Sequence, residues 1–111
     1  MSSLEVRVTI PSESGGAPIA PDARAAALAY VARQMSALFG GATATPGAGC
    51  WTNGNGELIQ EQVTIMSSYA ESDVVTSQWQ EVRAIAQWLK NVLHQESVLI
   101  AAAPVTSVEF V

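Results

Sequence analysis

The chain of 111 residues has the length of one ordinary domain, residues 1–111, and its ten acidic and five basic residues give a formal net charge of −5. Because this charge repels a phosphate backbone, we expect no nucleic-acid partner. Hydrophobic residues make up 49% and charged residues 14%, which is too apolar for a disordered tail, yet no run reaches the roughly 18 apolar residues of a membrane span.

A strand and a helix are predicted before the first glycine pair. Apolar and polar residues alternate over Leu4–Ile10, as in a strand with one buried face. The polar positions of this strand are Glu5, Arg7 and Thr9. After a turn-prone loop, Pro21 opens a helix with an apolar stripe, and Gly40-Gly41 ends it. The main stripe positions are Leu28, Val31, Met35 and Leu38.

A hairpin is predicted around Asn53-Gly54-Asn55-Gly56. Asn-Gly pairs favour the positive φ angles of a type I′ turn, and two pairs in tandem allow a four-residue tip. The first arm, Ala42–Trp51, contains proline and glycines and is typical of a bulged or edge strand, whereas Glu57–Tyr69 is typical of a central strand. Its alternation separates Val63 and Ile65 on one face from Gln62, Thr64 and Met66 on the other.

A second helix and a final strand segment follow. The helix begins either near Ser77 or earlier, at Ser72-Asp73, and ends by Gln95. Its buried stripe is predicted to be Val82, Ile85, Ala86, Leu89 and Leu93. Ser97–Ala103 and Ser107–Val111 then predict one kinked strand or two short ones, because Pro104 interrupts them.

This order of elements, β-α-β-β-α-β, predicts an α+β fold of the ferredoxin-like, split βαβ type, with an antiparallel sheet and both helices on one face. The other face would then be free to meet water, a ligand or another subunit. We expect it to carry Glu5, Arg7, Thr9, Gln62, Thr64 and Met66.

Three segments resemble a known family. They are Gly47-Ala48-Gly49-Cys50-Trp51, Gly56–Glu61 and Gln95-Glu96-Ser97-Val98-Leu99. The pattern is similar to that of small uncharacterised bacterial proteins that share a domain of unknown function. The resemblance covers about half of the chain, although the first loop is shorter here. It implies a small α+β domain and no established reaction, so no catalytic residue is transferred.

Few residues are candidates for chemistry. His94, the single histidine, is expected to be an exposed residue at a helix end, and Cys50 a plain thiol without a disulfide partner. Glu57 and Glu61 lie on the same face of a strand and could form an acid and base pair, although solvated carboxylates are the commoner case. We expect no metal and no cofactor.

Tryptophans suggest contact surfaces. Trp79 is expected in the core, and Trp88 either on a half-exposed helix flank or in a subunit contact. Trp51 adjoins small residues that would let a ligand or another backbone approach its ring. No secretory signal precedes the first strand pattern, so a cytoplasmic protein without a membrane partner is expected.

Two hypotheses of function follow, and the preferred one is a non-enzymatic binding module that self-associates as a homodimer through the open sheet face or the hairpin. The alternative is a small enzyme that uses carboxylate acid-base chemistry on a small organic molecule held near Trp51. In that enzyme Arg7 would orient an anion, Glu61 would move a proton and Tyr69 would donate a hydrogen bond. A structural accessory protein of a larger complex is a third option.

Overall fold

A computed structural model describes residues 2–111. These described residues form six strands and two helices, which we number in chain order. The strands are β1 (Ser3–Pro11), β2 (Glu13–Ser14), β3 (Ala17–Pro18), β4 (Thr43–Thr52), β5 (Leu58–Glu71) and β6 (Ile100–Val105). The helices are α1 (Pro21–Phe39) and α2 (Ser72–Val92).

The main sheet has four strands in the order β4-β5-β1-β6, and every neighbouring pair is antiparallel. Strands β2 and β3 form a separate small ribbon within the first loop. Without that ribbon the element order is β-α-β-β-α-β, so the predicted ferredoxin-like α+β fold is confirmed. The predicted positions of β4 at the edge and β5 in the interior of the sheet are also confirmed.

Both helices pack on one face of the sheet and enclose the core. On β1 the predicted apolar face is buried, with Val6, Val8 and Ile10 fully inaccessible to solvent. The helix α1 contributes Val31 and Met35 to this core. Its end is also as predicted, because Gly40 adopts the left-handed conformation (φ 90°) in which its N–H donates to the Ser36 carbonyl.

Helix α2 begins at Ser72, so the earlier of the two predicted starts is correct. Its buried residues extend the predicted stripe by about two turns toward the N-terminus, to Val75. Ala86 of the predicted stripe is only half-buried. The buried positions are Val75, Val82, Ile85 and Leu89, with Leu93 just beyond the helix. Trp79 packs on the core as predicted. Trp88 stacks on Tyr30 of α1 with ring centroids 3.8 Å apart, so it joins the two helices.

The predicted assignment of the β5 faces is wrong. Val8 lies opposite Met66 and Ile10 opposite Thr64, so these two β5 residues face the helices. The other set, which includes Val63 and Ile65, lies on the open face. Alternation therefore holds, but the more apolar set of side chains is the one on the side without helices. Gln62, Thr64 and Met66 do not belong to the open face.

The hairpin tip differs from the predicted type I′ turn. Among its residues only Gly56 has a positive φ, 78°. The Asn53 carbonyl accepts the Gly56 N–H at 3.1 Å, and the Asn53 N–H donates to the Glu57 carbonyl at 3.0 Å. This is the pattern of a type I turn followed by a glycine bulge. The Asn53 side chain stabilises this turn, because its Oδ1 accepts hydrogen bonds from the N–H groups of Asn55 and Glu57.

The last segment forms one strand, not two. Strand β6 runs through Pro104, whose partner across the pair is Leu4 of β1, whereas residues 107–111 are not in a strand. Strand β6 is at the edge of the sheet, where a proline, which has no backbone N–H, is tolerated.

Candidate functional site: the open sheet face and the hairpin arm

The face of the sheet opposite the helices is the first candidate surface, and we call it the open face. Cross-strand pairs place Glu5 beside Tyr69, Arg7 beside Ser67 and Thr9 beside Ile65. The β4 positions on this face are two threonines, two glycines and a tryptophan. These positions are Thr43, Thr45, Gly47, Gly49 and Trp51.

Glycines of β4 leave room for apolar side chains of β5 on the open face. A Cβ atom at Gly47 would lie 3.3 Å from Ile65 Cδ1 and 3.4 Å from Val63 Cγ2. Val63 is consequently buried although no helix covers it, and the buried ring of Pro11 lies opposite it on β1. The glycines therefore explain why apolar residues are accommodated here.

A polar cluster of three residues occupies the end of the open face near Ser3. Arg7 Nε donates to Glu5 Oε1 at 2.8 Å, and Arg7 Nη2 lies 2.8 Å from the same oxygen. Tyr69 donates its hydroxyl hydrogen to Glu5 Oε2 at 3.0 Å. The Glu5 side chain is 13% exposed and that of Arg7 54% exposed, so the carboxylate lies beneath the guanidinium.

This cluster keeps Glu5 ionised. Burial raises the pKa of Glu5, but hydrogen bonds from Arg7, Tyr69 and Ser67 and the positive charge of Arg7 outweigh burial and bring the pKa below its ordinary value of 4.5. The hydrogen bond to this carboxylate, together with its charge, raises the pKa of Tyr69. Glu5 was not among the predicted site residues. Its spacing of two from Arg7 on a polar strand face is the signal that could have revealed the pair.

The structure places Glu61 against the first loop. Its Oε2 accepts the N–H of Ser12 at 3.1 Å and that of Glu13 at 3.0 Å, and it lies 3.4 Å from the Ser12 hydroxyl. These hydrogen bonds fix the chain where it leaves β1. The carboxylate is therefore occupied with backbone groups of the first loop.

The residues of the proposed enzyme do not converge. Arg7 and Tyr69 meet at Glu5, but Glu61 lies six positions along β5 from Ser67, the partner of Arg7. At about 3.3 Å per residue this separation is roughly 20 Å, too far for one small substrate to bridge by direct contacts. Glu57 and Glu61 do not meet either, because Glu57 Oε1 accepts a hydrogen bond from Asn53 Nδ2 at 3.4 Å in the hairpin tip.

The outer part of the hairpin is the second candidate surface, and we call residues 48–62 the hairpin arm. Pairing between β1 and β5 stops at Pro11 and Val63, whereas pairing between β4 and β5 continues from Ala48–Gln62 to Thr52–Leu58. Five residues of β5 therefore pair with β4 alone. At about 3.3 Å per residue the two-stranded arm extends roughly 17 Å past the neighbouring strand.

Two large apolar side chains are exposed on the arm. Trp51 is 47% exposed and lies opposite Ile59, and Leu58 is 63% exposed. Cys50, which precedes Trp51 on β4, is an exposed free thiol. The arm also lies at the sheet edge, since β4 pairs only with β5. It therefore combines exposed apolar surface with unpaired backbone groups.

His94 lies outside both surfaces. It is exposed and has a positive φ of 53° two residues after the end of α2. Its carbonyl accepts a hydrogen bond from the Ser14 hydroxyl. Within residues 2–111 no three His, Cys, Asp or Glu side chains group closely enough to hold a metal ion. In the same part of the chain, neither helix has the length and apolar composition that a membrane crossing needs.

Comparison with known proteins identifies the fold and no family. Neither a protein-family model nor a curated protein sequence matches the chain. Among solved structures, it is similar to the periplasmic divalent cation tolerance protein CutA from Archaeoglobus fulgidus, with a TM-score of 0.59 and 13% identity over 96% of this chain and 87% of that one. A phage SAM lyase in complex with S-methyl-5'-thioadenosine matches with a TM-score of 0.65 and 17% identity over 92% and 81% of the two chains.

A third similar structure is a Bacillus cereus protein related to NIF3. Its TM-score is 0.61 with 10% identity, and the match covers 96% of this chain but 26% of that one. The three matches carry different names while sharing one ferredoxin-like arrangement with this chain. At these identities the likeness shows the fold alone, and function has to be argued from the surfaces of this chain.

Proposed function

We propose that this protein is a non-enzymatic binding module that self-associates as a homodimer through the hairpin arm, and that it does so in the cytoplasm. The observation that carries the proposal is the projection of the arm past β1 with Trp51 and Leu58 exposed. A two-stranded ribbon alone is marginally stable in water, so an arm of this kind gains stability by packing on another surface. The resemblance to the bacterial family includes this same segment.

The edge of β4 supports a second copy as the partner. Edge strands are normally protected from pairing by charged side chains, but none of the ten residues Thr43–Thr52 is charged. Pro46 is the single β4 residue without a backbone N–H. Beyond it, Gly47–Thr52 can offer a row of donors and acceptors to an antiparallel copy of itself. Such a contact uses the same edge twice and closes as a two-fold dimer.

The charge distribution of the arm also favours self-pairing. Like charges that face each other across a strand pair are destabilising, and the chain as a whole carries a charge of −5. Pairing through the uncharged β4 keeps Glu57 and Glu61, which lie on β5 or in the tip, one strand away from the contact. Trp51 would then contribute buried aromatic area, which is typical of the centre of a subunit contact.

The test is sedimentation velocity with light scattering on the wild type and two matched variants. Trp51→Lys places a charge on the arm, whereas Leu99→Lys places the same charge on an exposed apolar residue just before β6, the other edge strand. We expect a dimer for the wild type and for Leu99→Lys, and a monomer with an unchanged far-ultraviolet spectrum for Trp51→Lys. A wild type that stays monomeric at high micromolar concentration would overturn the proposal, as would a dimeric Trp51→Lys.

Cys50 provides an independent check of the β4 contact. As the single cysteine of the chain and an exposed one, it can form a disulfide only with a second molecule. If two β4 edges pair close to this residue, mild oxidation of the dimer gives a disulfide-linked species that Trp51→Lys, with Cys50 intact, forms much more slowly. Equal cross-linking of the wild type and Trp51→Lys would indicate random collision and would contradict pairing through β4.

A further inference from the structure

Arg24, in the first two turns of α1, has an incompletely satisfied guanidinium group. Its Nη2 donates to Thr64 Oγ1 at 2.9 Å. Its Nε is buried and, among residues 2–111, has no hydrogen-bond partner. An arginine side chain carries five N–H donors, so a single hydrogen bond to a hydroxyl leaves most of its donor capacity unused. The side chain is half-buried, which limits the number of hydrogen bonds that water can accept from it.

The positive charge of Arg24 also lacks a counter-charge within the described chain. Residues 2–111 contain one ion pair, Arg7 with Glu5, on the open face. Asp22 is exposed near the start of the same helix and does not pair with Arg24. Glu61 directs Oε2 to Ser12 and Glu13. A half-buried cation without a carboxylate is costly, and the cost falls when an anion binds beside it.

A cavity of about 320 Å³ that is open to solvent on one side adjoins Arg24. Most of its wall is apolar, and its polar side chains are the guanidinium group and one hydroxyl. The lining residues are Ser12, Ile19, Pro21, Arg24, Ala25 and Leu28. Small-molecule sites typically combine a mainly apolar wall with a few polar groups that orient the ligand. This cavity has that composition, and its position between α1 and the first loop separates it from β4.

We propose that this cavity binds a small organic carboxylate. The carboxylate group would accept hydrogen bonds from the terminal nitrogens of Arg24, the geometry that a planar guanidinium favours. The apolar body of the ligand would lie on Ile19 and Leu28, and the Ser12 hydroxyl would border the polar end. Binding would give Arg24 the counter-charge that the described chain does not provide. The site is independent of self-association through the hairpin arm.

Hexanoate is a suitable probe, with hexanamide as its neutral match and inorganic phosphate as an anion without an apolar body. Amide chemical shifts measured by nuclear magnetic resonance are expected to change saturably with hexanoate at Ile19, Ala25 and Leu28. Hexanamide and phosphate should each bind roughly tenfold more weakly or worse, since each lacks one half of the recognition. Equal binding of hexanoate and hexanamide would overturn the role of Arg24, and the absence of saturable shifts at millimolar hexanoate would overturn the site.

Variants separate the site from the fold. Arg24→Met should weaken hexanoate binding roughly tenfold or more, whereas Arg33→Met, at an exposed position of the same helix, should leave it unchanged. Ala25→Leu fills the cavity from an exposed position and should abolish binding while Arg24 is retained, which keeps the test valid if Arg24→Met does not fold. Wild-type affinity in Ala25→Leu, or in a folded Arg24→Met, would contradict the proposal. Trp51→Lys should still bind hexanoate, even as a monomer.

Discussion

The two faces of the same sheet are held in place by different interactions. On β1, Val6, Val8 and Ile10 are fully buried beneath the helices, while their neighbours Glu5 and Arg7 form an ion pair on the open face. Apolar burial is worth about 25 cal/mol per Å², whereas an ion pair at the surface contributes less than about 1 kcal/mol. The covered face therefore supplies most of the stability of the fold, and the exposed positions of the open face tolerate substitution better.

The hairpin arm extends this contrast. It has neither a helix beneath it nor a third strand beside it, yet it carries Trp51 and Leu58. Apolar side chains in that position add little to the stability of an isolated molecule. If the dimer forms as proposed, their contribution appears in association. Substitutions on the covered face, the open face and the arm should therefore act on different measurements.

The largest expected effect is on the free energy of unfolding, and it is tested by comparing one leucine in the core with one on the hairpin arm. Leu89→Ala, at a fully buried position of α2, should lower the free energy of unfolding by about 2–5 kcal/mol, because it removes buried apolar area and leaves a cavity. Leu58→Ala, on the arm, should change it by no more than about 0.5 kcal/mol. Urea denaturation in the Trp51→Lys background excludes any contribution from association. Similar losses for the two variants would show that the arm is part of the folding core.

The two faces of a strand were predicted correctly only where the more apolar set of alternating residues is also the set that faces the helices. On β1 they agreed, and both faces were predicted correctly. On β5 they disagreed, because Val63 and Ile65 pack over the glycines of β4, whereas Thr64 faces the helices and accepts a hydrogen bond from Arg24. A threonine that is hydrogen-bonded to a half-buried arginine resembles a solvent-facing residue when its partner is not known.

The candidate site was predicted only in part for a similar reason. Arg7 and Tyr69 come together, but around Glu5, which lies two residues from Arg7 and was assigned in the sequence only to the polar face of its strand. Glu61 was expected to face solvent or substrate and instead binds the backbone of the first loop. Pairing register decides both outcomes, and a strand pattern alone does not contain the register.

Adjacent serines on β5 provide a second, smaller test. Ser68 faces the helices and donates to the Gly41 carbonyl at 2.6 Å, whereas Ser67 is on the open face opposite Arg7. Both are buried. Ser68→Ala should lower the free energy of unfolding by about 0.5–1.5 kcal/mol, the net value of a hydrogen bond, because it removes the bond that links β5 to the chain just after α1. Ser67→Ala should cost less, because Glu5 retains its bonds from Arg7 and Tyr69. A larger loss for Ser67→Ala would reverse the ranking of the two faces.

The smallest effect is the pH dependence of the open face. The pKa of Glu5 is lower in the folded protein than its ordinary value of 4.5, so the unfolded chain takes up the proton at a higher pH than the folded one. The stability from this group is therefore fully present above 4.5 and is lost as the pH falls through the folded pKa below that value. Exposure of Arg7 screens the pair, so we expect the contribution to stay under about 1 kcal/mol.

Urea denaturation of the wild type and Glu5→Gln over this pH range measures the difference directly. The two unfolding free energies should differ most near neutral pH and converge as the pH falls below 4.5, because protonation converts Glu5 to a neutral group like the glutamine. Arg7→Met should reduce the same difference, since it removes the first of the hydrogen bonds that favour the carboxylate. Parallel pH curves for the wild type and Glu5→Gln would show that the open-face cluster does not contribute to stability through ionisation, and its hydrogen bonds would then serve only to order the surface.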